Sequence, residues 1–151
     1  MRPIRAERHI PAPPDRVFEV ILDVDRYPEW NPFTPRFSIG TADMAVGREF
    51  ELDCQMTPTQ LLRGEREVVL ALDREARAFC MGTSRTRGRP GIVSYRWQRC
   101  EPAPDGGTHF VNYEQFHGPL GPLVWLLYKG KLKEAFERYN EALEARVLSL
   151  R

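Results

Sequence analysis

The stretch PLVWLLYKGKLKEAFERYNEALEARVLSL, residues 122–150, decides how this chain must fold. Pro119, Gly121 and Pro122 punctuate what precedes it, and no proline interrupts it afterwards, so the spacing predicts a helix to the end of the stretch. Trp125, Tyr128, Leu132, Phe136, Tyr139, Leu143, Val147 and Leu150 recur every three or four residues, which puts them on one stripe. Lys129, Lys133, Glu137, Arg138, Glu141 and Glu144 fall on the other face, where Glu134 supports Arg138 four residues later. At about 1.5 Å per residue this helix is roughly 40 Å long. An aromatic stripe of that length needs an equally long apolar surface against it.

The first half of the stretch reads differently. Leu120, Leu123, Val124, Trp125, Leu126, Leu127 and Tyr128 leave almost no polar side, and Gly130 follows. The expectation is a helix end buried on every side. The alternative is a lid facing a ligand and hinged at Gly130, a residue that costs about 1 kcal/mol of helix stability relative to alanine. The run is too short to cross a bilayer, which takes about 20 apolar residues.

Upstream, the pattern is mostly that of strands. Ile4, Ala6, Arg8 and Ile10 alternate with Arg5, Glu7 and His9, which predicts a first strand ended by Pro11 to Pro14. Pro14 and Asp15 suit a helix start, with Val17, Phe18, Val20, Ile21 and Leu22 as its buried side. Asp23 to Trp30 reads as a second short helix or turn ended by Pro32. Phe50, Leu52, Cys54 and Met56 then alternate with Glu49, Glu51, Asp53 and Gln55. Further strands are expected at 66–72 and 77–82. Val93, Tyr95 and Trp97 alternate with Ser94, Arg96 and Gln98, and Asp105-Gly106-Gly107 marks a hairpin. After it Phe110, Asn112, Glu114 and Phe116 share a face. Strands adjacent in sequence tend to pair, so the expected fold is α+β: a curved antiparallel sheet gripping one long C-terminal helix, with two short helices after the first strand. A bent sheet cannot touch a straight helix everywhere. The space between them is filled by large side chains or is a cavity.

Size and charge narrow the function. With 151 residues, one domain over 1–151 with a substantial core is expected. Lys and Arg total 22 against 21 Asp and Glu, so net charge gives no reason to expect nucleic acid or an anionic membrane. Met1-Arg2-Pro3-Ile4-Arg5 lacks an apolar signal core, and a cytoplasmic protein is expected. Cys54, Cys80 and Cys100 are widely spaced and read as reduced thiols, and His9, His109 and His117 are equally scattered. Neither a metal site nor a cofactor is expected. GxSxG, P-loop and Rossmann strings are absent. Arg85-Thr86-Arg87-Gly88-Arg89 reads as a solvated loop. Oligomeric state is open.

Several strings resemble the START-like, helix-grip superfamily, in particular its polyketide cyclase/dehydrase-like bacterial members. They are Ala12-Pro13-Pro14-Asp15-Arg16-Val17-Phe18, the run from Asp25 to Phe33 through Tyr27-Pro28-Glu29-Trp30-Asn31, the strand from Thr108 to Leu120, and Tyr139-Asn140-Glu141-Ala142-Leu143. The resemblance spans nearly the whole chain and implies a binding cavity. Relatives bind lipids, sterols, polyketides or plant hormones, and some catalyse ring closure, so the resemblance does not choose among them.

Glu114 is the most informative position, because Phe110 and Phe116 should turn its face inward. It either forms a buried ion pair with Arg8 or Arg96 or acts as a general base raised by desolvation. Tyr95 and Trp97 are expected to line the same interior, Tyr95 as a hydrogen-bond donor and Trp97 as a stacking surface. Asn112 would present an amide, and Trp30 would form the floor. Met56, Met81, Phe110, Phe116, Leu127 and Phe136 complete the expected lining. Three functions follow as expectations. The first is carriage of a small hydrophobic, lipid- or polyketide-like molecule. The second is a cyclase or dehydratase using Glu114 with Tyr95. The third is a protein-interaction module with an exposed apolar patch at 120–128.

Overall fold

In the computed structural model, residues 1–83 and 89–150 are described, so of the basic 85–89 cluster only Arg89 falls within them. The chain runs β1 (Ile4–Ile10), α1 (Pro14–Leu22), α2 (Tyr27–Trp30), β2 (Arg36–Phe37), β3 (Glu49–Thr57), β4 (Gln60–Asp73), β5 (Ala78–Thr83), β6 (Val93–Pro102), β7 (Thr108–His117) and α3 (Gly121–Ser149). The sheet order is β1-β7-β6-β5-β4-β3-β2, and all pairs are antiparallel. Strands consecutive in sequence from β2 to β7 pair with one another, and β1 closes against β7. This is the helix-grip arrangement, a curved sheet holding a long C-terminal helix, with short helices after the first strand.

Local chemistry explains the punctuation. Pro14 occupies the first turn of α1 with Asp15 beside it, where a missing N–H costs nothing and a carboxylate meets the positive helix end. α2 stops at Asn31, whose Oδ1 accepts the backbone N–H groups of Phe33 and Thr34, each at 2.9 Å. Pro32 therefore follows a side-chain-braced turn. Register shifts between Leu52 and Cys54, Gln55 and Thr57, and Val69 and Ala71 interrupt the ladders of β3 and β4. Such irregularities bend and twist a sheet. β4 begins at Gln60, six residues before the strand expected at 66.

α3 lies along β1, β7 and β3 and against α1, burying Leu132, Ala135, Phe136, Tyr139, Asn140, Leu143 and Val147. Its apolar stripe ends there, since Leu150 is 42 % exposed. The first half corrects the expected all-round burial. Val124, Trp125 and Tyr128 pack against the core, but Leu123, Leu126 and Leu127 are 54 %, 60 % and 61 % exposed. Among the described residues, these turns have protein on one side alone.

The inward face of β6 also differs from expectation. Ser94, Arg96, Gln98 and Cys100 are buried while Val93, Tyr95, Trp97 and Arg99 are partly exposed. Register gives the reason. Directly opposed residues of paired strands share a face, and Glu114, Asn112, Phe110 and Phe116 stand opposite Arg96, Gln98, Cys100 and Ser94. If β7 turns Glu114 inward, β6 must turn Arg96 inward and Tyr95 and Trp97 outward.

Candidate functional site

The mismatch between bent sheet and straight helix is resolved differently at its two ends. Toward the C-terminal half of α3 the space is filled. Phe110, Phe136 and Tyr139 are fully buried, with Tyr139 lying 5.5 Å from the Trp30 ring and 6.2 Å from Phe110. Toward the first half of α3 it is open, leaving a cavity of about 490 Å³, within the range of roughly 300–1,000 Å³ usual for small-molecule pockets. Apolar walls come from Leu52 and Met56 of β3, Met81 of β5 and Phe116 of β7, with Val124, Tyr128 and Leu132 of α3 across from them. Phe33, after the α2 turn, closes the inner end, while Arg63, Gly64, Arg66, Arg89 and Pro90 border the mouth.

One wall carries charge. Arg96 is only 4 % exposed. Its Nε donates to Asn112 Oδ1 at 3.0 Å, and Asn112 Nδ2 donates to Asn140 Oδ1 at 3.3 Å. The guanidinium carbon lies 4.7 Å from the Phe33 ring centre, 5.1 Å from Phe136 and 4.7 Å from Tyr139, a cation held by aromatic faces. Its two amino groups, Nη1 and Nη2, have no hydrogen-bond partner among the described residues. Unmatched donors of a buried cation are costly.

Two carboxyls and a thiol share this wall. Burial pushes Glu114 up to about 7, against the opposing pull of Arg96 and a hydrogen bond from Ser94. Glu67 of β4 is pushed up to about 8 by burial first and by the Glu114 charge second. Cys54 is raised well above the usual thiol value by burial and then by Glu67 and Glu114, so it stays a protonated thiol and a poor nucleophile. Among the described residues no cluster of three or more His, Cys, Asp or Glu could hold a metal ion. Arg8, the other partner considered for Glu114, pairs instead with Glu144 of α3. Arg96 is therefore the cation nearest in role to Glu114, yet no ion pair joins the two within 4 Å among the described residues.

Of the residues expected in the site, Met56, Met81, Glu114 and Phe116 line the cavity. Phe110, Phe136 and Trp30 lie in the filled end, and Asn112 sits behind the wall, holding Arg96. Leu127 points to solvent. Tyr95 and Trp97 are on the convex face, Tyr95 beside His117 at 5.4 Å and Trp97 beneath the Arg99 guanidinium at 4.3 Å, so neither lines the cavity and Tyr95 cannot partner Glu114. Glu67, Cys54 and Leu62, together with Tyr128 and Leu132 of the helix stripe, complete a lining that the sequence did not single out. Arg96 is the residue the sequence does name, as a partner for Glu114, and its inward turn was legible as well. Counting back from the Asp105-Gly106-Gly107 turn pairs it with Glu114.

Known structures share this architecture. No curated protein matches the sequence. Among solved structures, a protein from Thermus thermophilus superposes with a TM-score of 0.74 at 20% identity, over 98% of each chain. Norcoclaurine synthase from Thalictrum flavum, in complex with dopamine and hydroxybenzaldehyde, gives 0.74 at 14% identity over 99% of this chain and 88% of its own. A START superfamily protein from Mycobacterium smegmatis gives 0.69 at 17% identity over 97% of each. At such identities the likeness establishes the fold. The family described as polyketide cyclase / dehydrase and lipid transport matches residues 1–148, and to that family this chain belongs.

Proposed function

We propose that the protein binds and carries a small, largely apolar molecule whose inner end bears a hydrogen-bond acceptor. The observation that carries this reading is the Arg96 guanidinium, the one buried among the described residues, facing apolar walls across the cavity with Nη1 and Nη2 unmatched among those residues. A carbonyl, phenol or carboxylate oxygen at the ligand's inner end would answer those donors, while Leu52, Met56, Met81 and Phe116 cover its apolar body. Protein purified from its own host should release a small molecule in native mass spectrometry, and Arg96→Met should lose it while keeping the fold. Release of the same molecule in equal yield from the variant would defeat the assignment to Arg96. A ligand-free wild type with no affinity for any amphiphile of this size would defeat carriage itself.

The two raised carboxyls favour a second reading, acid/base chemistry on the bound molecule, because a group titrating near neutrality can both give and take a proton. In that case Glu114→Gln or Glu67→Gln should abolish conversion of the co-purified molecule without abolishing its binding.

A further inference from the structure

The first turns of α3 carry a surface that ligand binding does not explain. With about 3.6 residues per turn, Leu120, Leu123 and Leu127 line up on the outward side, with Leu126 beside them. All four are exposed by 45–61 %. Lys131 falls on one margin of this stripe, and Lys129 and Lys133 on the other, all exposed. Trp125 donates its indole N–H to the Arg2 carbonyl at 2.9 Å, which brings Met1, 59 % exposed, and Arg2 to the same end. No Asp or Glu occurs between Glu114 and Glu134. Beyond Gly130 the outward face turns acidic with Glu134 and Glu137. The near-zero net charge of the chain averages over this asymmetry.

We infer that this end of α3 docks on an anionic lipid surface. An apolar stripe edged by lysines on both sides is the arrangement of a helix lying at a membrane interface. A second copy of the chain fits less well, because it would enclose these lysine margins in a protein interface, from which lysine is depleted. The acidic turns that follow would be repelled, so the helix meets the surface inclined, with its Gly121 end lowest. Val124 and Tyr128, on the inward side of the same turns, line the cavity. Docking therefore brings the cavity mouth to the bilayer, where an apolar cargo is stored. Docking itself requires no cargo, so its test is independent of the carrier reading.

The full chain should co-sediment at low salt with vesicles of phosphatidylglycerol and phosphatidylcholine, and not with phosphatidylcholine alone. Lys129→Gln and Lys131→Gln should each weaken binding about fivefold, and Leu123→Ser with Leu127→Ser should remove most of it with an unchanged circular dichroism spectrum. Any of three results overturns the proposal. One is no binding to the anionic vesicles. Another is binding that all the substitutions leave unchanged. The third is a dimer in vesicle-free solution that the serine pair dissociates, which would assign the stripe to a second copy.

Discussion

Glu67 and Glu114 are the carboxyls whose burial opposes ionisation in the folded chain. Each keeps its proton in the folded chain at pH values where the unfolded chain has lost it. Their contribution to stability is therefore fullest in acid and is lost as pH rises from the ordinary 4.5 through about 7 for Glu114 and about 8 for Glu67. Glu7, Asp15, Asp53 and Asp105, held low by their partners, instead lose theirs as pH falls. Glu67→Gln removes the larger penalty. It should raise unfolding free energy at pH 8 by on the order of 1–2 kcal/mol and change it little at pH 5. Urea denaturation at the two pH values checks this, and an equal gain at both would show that Glu67 ionises freely. At this scale the sequence was half legible. The inward turn of Glu114 followed from its neighbours Phe110 and Phe116. Tyr95 and Trp97 misled because aromatic residues on an alternating strand are usually the buried set. In β6 the polar set faces in, since Arg96 and Gln98 oppose Glu114 and Asn112, and the two aromatics find cover on the convex side from His117 and Arg99.

α3 is one helix in covalent terms and two in its surroundings. From Leu132 onward it has a buried stripe and a charged back, as its spacing announced. Before Gly130 both its faces are apolar, and periodicity could not tell a helix end buried all round from one with a cavity inside and solvent outside. The second arrangement occurs because the sheet curves away from these turns. Gly130 itself is exposed, and a Cβ there would meet nothing within 4 Å. Gly130→Ala should therefore add about 1 kcal/mol through helix propensity and raise the melting temperature by roughly 2–4 °C. A lower melting temperature would mean that the helix needs glycine's freedom there, as a hinge would.

For the molecule as a whole, the order of elements and the gripping of a helix by a curved sheet were readable from punctuation and alternation alone. Where the gap between them stays open was not, because that depends on which large side chains meet across it. Trp30, Phe110, Phe136 and Tyr139 converge at one end and fill it, leaving the other end to Met56, Met81 and the charged wall. The four methionines report on this division. Met56 and Met81 line the cavity, whereas Met44 is buried elsewhere in the core and Met1 is exposed. With methyl-labelled methionine, an NMR titration using the molecule extracted from the host protein, or an amphiphile of similar size, should shift Met56 and Met81 to saturation at one equivalent while Met1 and Met44 stay still. Shifts confined to Met1, or none at Met56 and Met81 as ligand binds, would contradict a binding site between sheet and helix.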